Sequence, residues 1–595
     1  NSFILNCKVK TDELVLDANN DYCGGLTGAL SNSFSINNEI SNFSEGTVGT
    51  ISISATNYAG GISGVATLGQ AISLGEFYNG KKDLASLISK VVNGALSGDA
   101  GNVLLSLTGV SPSVIAGNKV LGKLNVSVDN NYAGGIIGQG DGVKIIATSN
   151  LDEKSFIWSK VKDKLKYQVS EVSEQKNTIE KLESVSAKNY VGGAIGDVRM
   201  ASAAGLLNNI LGIANYLKFD VEEVNIGNSS DSAQIIATKN YAGGFAGNAI
   251  GGDITNSNVN NLELVQADNY AGGFIGNGGT GSLADIKGLN ILGLVEISNL
   301  LSVADGVVLN INNSNVNGSL SGMVVKSLGE RENNETDKDV YYAGGFIGKS
   351  TSAHINNSHV DNIKQVNASN EAGYAGGFAG VSETGNLASV TKDSEGLLQG
   401  VLDLGNLLNL VPHLVSEFKN TTVSYVSNDG QPQVQANYAG GYVGQMQSGK
   451  VDNSDINTAT VNDLEYVKGK RYSGGFAGRI YSGGLASADG LSVLGGALNI
   501  NLTNLISLLN VYVPFVIGAD VLSDELVVEA TVENESGYAG GYVGYGSGLK
   551  ISDSSVSKLM SKNSSESTKE YAVSASHYAG GYVGRLDIGS AASLG

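Results

Sequence analysis

The chain has almost no proline, 4 residues in 595. Its 82 glycines therefore do not belong to a Pro/Gly-rich disordered linker, and the lack of a strict Gly-X-Y period excludes collagen. Cysteine is scarcer still. Cys7 and Cys23 are too few for a disulfide framework and read as two small buried residues. Charged residues make up only 16% against 41% apolar, a balance that speaks against disorder. A basic surplus is also missing: 37 Lys and Arg against 57 Asp and Glu leave a formal net charge of −20. That argues against a nucleic-acid partner, whose binding draws on clustered cations, and against attraction to anionic membranes. It suits a solvated surface.

Residues that carry chemistry are just as sparse. The four histidines are His354, His359, His413 and His577. His354 and His359 flank one strand without a third ligand, whereas zinc sites want three or four, so they read as surface histidines. Asp452, Asp455 and Asp463 fall in one repeat and Asp553 lies further on, a pattern that polar turn residues explain. Neither a phosphate-binding loop nor the calcium-binding nonapeptide repeat is present. No catalytic, cofactor-binding or metal-binding residue is therefore expected, and the chain reads as a non-enzyme.

What is abundant is repetition. Residues 270–276 read Tyr-Ala-Gly-Gly-Phe-Ile-Gly, and versions of this heptad recur twelve times. Their tyrosines are Tyr22, Tyr58, Tyr132, Tyr190, Tyr241, Tyr270, Tyr342, Tyr374, Tyr438, Tyr472, Tyr538 and Tyr578. Short and long steps alternate almost throughout, and successive pairs span 110, 109, 101, 96 and 100 residues. The unit is thus a super-repeat of about 100 residues holding two heptads, present five to six times.

The short step from Tyr241 to Tyr270 shows the bare unit. Ile254, Val259, Leu262 and Leu264 form short alternating runs broken by Asn, Gly and Ser, which predicts three strands per turn. The expected fold is an all-β-dominated parallel β-solenoid (a parallel β-helix), right-handed by the crossover rule, continuous over 1–595 with about twelve coils. Within the heptad, period two puts Ala, the second Gly and the sixth residue toward the lumen. Tyr and the fifth residue then share a partly wet face and stack in an aromatic ladder. The glycines would supply positive φ at a tight corner and close backbone approach. The Asn that often precedes the tyrosine would adopt the left-handed region and form amide ladders between coils.

Each long step carries a Leu-rich segment, near 68–122, 201–219, 282–305, 387–418 and 485–518. Leu491, Leu494, Leu498, Leu502, Leu505 and Leu509 step by three or four, the spacing of an amphipathic helix. One helix per two coils would recur at about 9.6 Å, close to the preferred spacing of packed helices. The inserts are therefore expected to stack as a helical layer along one side. The uncharged stretch around 491–510 is long enough to raise a membrane span, but its four asparagines favour a packed helix, and no transmembrane segment is expected. The charged run 151–185 predicts a solvated protrusion. Both termini fall in mid-repeat and read as cut from a longer array.

Gly-Gly-Phe-Ala-Gly-Asn (243–248) followed by Asp-Ile-Thr-Asn-Ser-Asn-Val (253–259) resembles the GLUG-type repeat of large bacterial surface proteins. The likeness covers the short coils and all twelve heptads but not the Leu-rich inserts. It departs in the leading Tyr-Ala and in Phe or Tyr where the family has Leu. The resemblance implies an extracellular, wall-associated or secreted, adhesin-like bacterial protein, and no residue-level site. The expected role is a rigid stalk. The alternatives are a filament or surface-layer subunit mating through its coil ends or helical layer, and a polysaccharide-active enzyme on the same scaffold. Partners would be other copies of itself, or a glycan or protein on a host or neighbouring cell.

Overall fold

The computed structural model describes residues 2–41, 49–68, 111–155, 158–159, 162, 175–201, 218–227, 232–280, 308–329, 340–369, 371–384, 415–482, 513–532, 536–559, 562–563 and 570–588. The coil at 252–279 shows the plan. Strand Gly252–Thr255 lies in a first sheet, Asn258–Ala267 and Tyr270–Gly272 in a second, and Ile275–Gly279 in a third. The chain then returns to the first sheet, one rung on, at Leu309–Asn312. The first and third sheets each have twelve strands in chain order, and the second has 29. Strands of successive coils pair in parallel, as in the rungs Ile275↔Ile347 and Tyr270↔Tyr342. The result is an elongated parallel β-solenoid.

One apolar core fills the lumen from Cys23 to Val543. Its corners are closed by like-on-like polar contacts. The residue at the first corner adopts the left-handed region, as at Asn37 (φ 53), Asn256 (φ 49), Asn313 (φ 50) and Asn357 (φ 48), which Asn tolerates. The next residue turns inward. The Asn38 amide donates to Asn118 Oδ1 at 3.0 Å, and the Asn118 backbone N–H donates to Asn177 Oδ1 at 2.9 Å. Further along, Ser257, Ser314 and Ser358 repeat the arrangement: each backbone N–H donates to the next hydroxyl, at 3.2 and 3.3 Å. Buried polar groups are thereby satisfied rung by rung.

The expected layer of recurring helices is not found. Among the described residues, helix is confined to one excursion after the strand Lys144–Ile146: a 3₁₀ turn Thr148–Asn150, an α-helix Leu151–Lys154, and helical residues at Trp158 and Ser159. The Leu-rich stretches themselves lie mostly outside the described residues. The first sheet, to which the chain returns after each of them, gives the physical reason. The outward positions of the first sheet, where each long segment returns, carry Asp220, Asp253, Asn310, His354, Glu417 and Lys450 on successive rungs. A helical layer needs a continuous apolar bed, and between Val114 and Phe515 these rungs offer a polar one. Parts of the spans expected to be insert or protrusion are rungs instead: the strands Val114–Ala116 and Phe515–Ile517 fall within them, and Asn177–Ala187 and Glu417–Lys419 overlap their ends.

The helical excursion sits where the bed is apolar. Trp158 and Leu151 pack on Phe34, Ile36, Val114, Ala116 and Ile146, with Phe3 and Leu5 at the margin. Beside them, Lys154 reaches Asp220 at 3.2 Å and Glu222 at 2.7 Å, and Lys144 lies 3.5 Å from Asp220. Burial pulls the Lys144 ammonium below its ordinary pKa, with Asp220 opposing.

Candidate functional site

The heptad builds the most regular surface on the molecule. Its alternation does not hold as expected, because the corner breaks period two. The alanine, the fifth residue and the sixth residue all enter the lumen: Ala271, Phe274 and Ile275 are fully buried. Only the tyrosine faces out. The fifth-residue column is therefore a lumenal ladder and not a wet one. Phe245, Phe274, Phe346, Phe378, Tyr442, Phe476, Tyr542 and Tyr582 stack with centroids 4.6–5.1 Å apart, and of these Tyr582, in the last described coil, is exposed. Where phenols intrude, their hydroxyls are paired: Tyr442 with Thr421 Oγ1 at 2.6 Å, and Tyr542 donating to the Ala519 carbonyl at 2.6 Å.

The heptad glycines do not have the expected positive φ; none is among the positive-φ positions of the described residues. They are required by close approach. A Cβ on Gly273 would run into the carbonyl of Gly345 in the next coil and crowd the Met323 side chain, and one on Gly345 would meet Gly377. The asparagines before the tyrosines are likewise not left-handed. They do form an amide ladder. Asn57 donates to Asp21 Oδ1 at 3.0 Å, Asn131 to Asn57 at 3.2 Å, Asn189 to Asn131 at 2.8 Å, Asn240 to Asn189 at 2.9 Å and Asn269 to Asn240 at 3.3 Å.

Outside, Tyr22, Tyr58, Tyr132, Tyr190, Tyr241, Tyr270, Tyr342, Tyr374, Tyr438, Tyr472, Tyr538 and Tyr578 form one unbroken column. All eleven neighbouring pairs are stacked, with centroids 4.5–5.3 Å apart and ring planes within 28°. The backbone enforces this, since each tyrosine is the in-register partner of the next. Burial raises the phenol pKa, to about 12 at Tyr132 and Tyr241. Because each ring face is covered by its neighbours, the column presents edges and hydroxyls.

The third sheet borders this column with charged side chains that vary from coil to coil. Arg199 lies 5.8 Å from the Tyr190 ring centre, Lys349 5.4 Å from Tyr342, Arg479 5.7 Å from Tyr472 and Arg585 5.0 Å from Tyr578, within cation–π range. Arg479 also lies 4.2 Å from the Tyr481 ring and 5.5 Å from Tyr545. Near the other end, buried Asp197 pairs with Arg199 at 2.9 Å and accepts from the Asn248 amide at 2.6 Å. Burial and the Asp197 charge push the neighbouring Asp141 carboxyl up to about 6, with Arg199 opposing.

A polar recess of about 430 Å³ opens on the second sheet, lined by Glu371, Gln435, Lys468, Gly469, Lys470, Thr531 and Val532. Lys470 bridges to Glu371 at 2.7 Å. Next to it, Glu529, the rung partner of Lys468, accepts the hydroxyls of Tyr466 and Tyr571. Nothing in the sequence pattern singles this recess out, since its residues come from four coils.

The remaining candidates are dispersed. His359 Nδ1 meets Thr422 Oγ1 at 2.8 Å, and burial lowers its pKa. His413 lies outside the described residues. Asp452 holds Ser454 and Lys450, Asp455 pairs with Lys419, and Asp463 and Asp553 occupy left-handed corners. Among the described residues, no group of three or more His, Cys, Asp or Glu is placed to hold a metal, and no helix is long and apolar enough to cross a membrane. The cysteines are both free; Cys23 is buried in the lumen, but Cys7 is exposed and not interior. Compared with protein-family models, curated proteins and solved structures, the chain matches none.

Proposed function

We propose that this chain is a rigid structural segment of an extracellular bacterial surface protein, adhesin-like in the sense of the GLUG-type repeats its heptads resemble. The observation that carries the reading is the unbroken register of twelve rungs, in which every tyrosine stacks on the next. A recognition or catalytic protein concentrates its irregularity at one place, whereas here the same corner is rebuilt on every coil. Parallel backbone ladders and the continuous lumen resist bending and extension. The acidic surface, −20 overall, keeps neighbouring rods apart in solution. Binding of a surface glycan or protein would then fall to the bordered tyrosine face or to regions beyond the rod.

Small-angle scattering and electron microscopy of the purified chain test this. Twelve coils at about 4.8 Å each give a rod of about 58 Å, of fixed length at all concentrations. Growth into fibres would favour a filament subunit, and sugar release from a glycan panel would overturn the structural reading in favour of an enzyme. Labelling of intact cells with antibody against the chain tests the surface location.

A further inference from the structure

The outer tyrosine column has a chemical property that its structural role does not need. Stacking alone is satisfied by phenylalanine, as the lumenal ladder shows over Phe245, Phe274, Phe346 and Phe378. Outside, phenol is used on all twelve rungs, with no Phe among them. Adjacent phenols are held at 4.5–5.3 Å between ring centres and kept in register by backbone pairing such as Tyr241↔Tyr270 and Tyr438↔Tyr472. Two phenols confined in contact form the geometry in which a pair of phenoxyl radicals couples instead of diffusing apart.

We propose that this column is a site of oxidative cross-linking, in which neighbouring rungs are joined as dityrosine by hydrogen peroxide acting through a haem peroxidase or an equivalent one-electron oxidant. Each of two adjacent tyrosines gives up one electron and its hydroxyl proton, leaving two phenoxyl radicals. One carbon–carbon bond forms between ring carbons ortho to the two oxygens. Each of those carbons loses its hydrogen as a proton, which returns to the phenoxyl oxygen and restores both phenols. In sum two tyrosines lose two electrons and two protons, and one hydrogen peroxide takes them up to become two waters. Most of the outer rings are reachable: Tyr22 and Tyr578 are exposed and Tyr58, Tyr132, Tyr190, Tyr241 and Tyr270 part-buried, whereas Tyr342, Tyr472 and Tyr538 are buried and would be oxidised through their stacked neighbours. The bond would join residues 29 to 74 positions apart in sequence, so each would close a coil covalently. Holding the rings together supplies an effective concentration that a flexible chain lacks.

The test treats the folded chain with a haem peroxidase and hydrogen peroxide and follows dityrosine fluorescence, with cross-linked peptides mapped by mass spectrometry. The initial rate per chain should be at least tenfold that of the same chain in denaturant, and independent of protein concentration. The mapped links should join successive column members, such as Tyr190 to Tyr241 and Tyr241 to Tyr270. Tyr241→Phe, checked for an unchanged melting profile, should remove those two links and leave Tyr438 to Tyr472 intact. A rate no higher than in denaturant would overturn the proposal. So would links that join different molecules, or that connect the column no more often than off-column tyrosines such as Tyr466 and Tyr571.

Discussion

A single methyl group is the smallest perturbation that discriminates among the glycines. In Gly273 the missing Cβ makes room for a carbonyl of the following coil. Gly273→Ala must therefore push adjacent rungs apart, and should destabilise the chain by about 3 kcal/mol, the upper end of what overpacked cores typically cost. Gly581→Ala, at a position with open space beside it, should change stability by less than about 0.5 kcal/mol. Denaturant midpoints of the two variants check the contrast. The titration of Asp141 gives a second residue-scale prediction. Its folded-state pKa, about 6, lies above the ordinary carboxylate value of 3.8, so the folded chain binds the proton more tightly than the unfolded one. Stability then falls as pH rises from about 4 to about 6. Asp141→Asn should stabilise by about 1–2 kcal/mol at neutral pH, allowing for partial solvent screening, and by nothing measurable below the unfolded-state pKa. Melting curves on either side of the titration decide it.

Among the elements, the helical excursion after Ile146 shows what a coil surface needs in order to hold an insert. Trp158 is fully buried on the apolar outer strip of the first coils, and Lys154 anchors the excursion to Asp220 and Glu222. Trp158→Ala should cost about 3–5 kcal/mol and expose the N-terminal coils first, read as faster amide exchange at Phe34–Ile36 than at Phe515–Ile517. The same contrast bounds what the sequence conveys. Coils are legible because each carries its own heptad, and a repeated motif betrays a repeated corner. The inward turn of Phe274 is not legible, because a corner interrupts period two without any change of residue type. Leucine spacing predicts a helical layer but says nothing of the sheet that would have to bed it, and Asp253, Asn310 and Glu417 hold outward positions of the first sheet. The recess around Lys468 stays hidden because neighbours in space there are more than 30 residues apart in the chain.

At the scale of the whole molecule, cohesion is local along the axis: each rung touches the one before and the one after. Such a chain behaves as a one-dimensional array, so damage should stay near its origin. Phe346→Ala, in the middle of the lumenal ladder, should cost about 3–5 kcal/mol and split thermal unfolding into two steps, whereas the same truncation at Phe476 should leave the longer N-terminal block melting as one. Calorimetry distinguishes one transition from two.

The like-on-like rungs carry a further consequence, which concerns inheritance. A coil that ends on Tyr190 offers Tyr241 the same seat it would offer Tyr342, because both present the same heptad backbone. Removing residues 241–341 would bring Asn240 directly before Tyr342 and delete the coils of Tyr241 and Tyr270 whole, leaving a seam like any other. Such a shortened chain should express as a stable, shorter rod. Genes built of repeated units can exchange segments by unequal recombination, and in this fold an exchange in whole units should keep the heptad corners in register and shorten the rod. Length is then a dimension in which this molecule can vary while the heptad corner stays the same, at the cost only of coil-specific pairs such as Asn248 with Asp197.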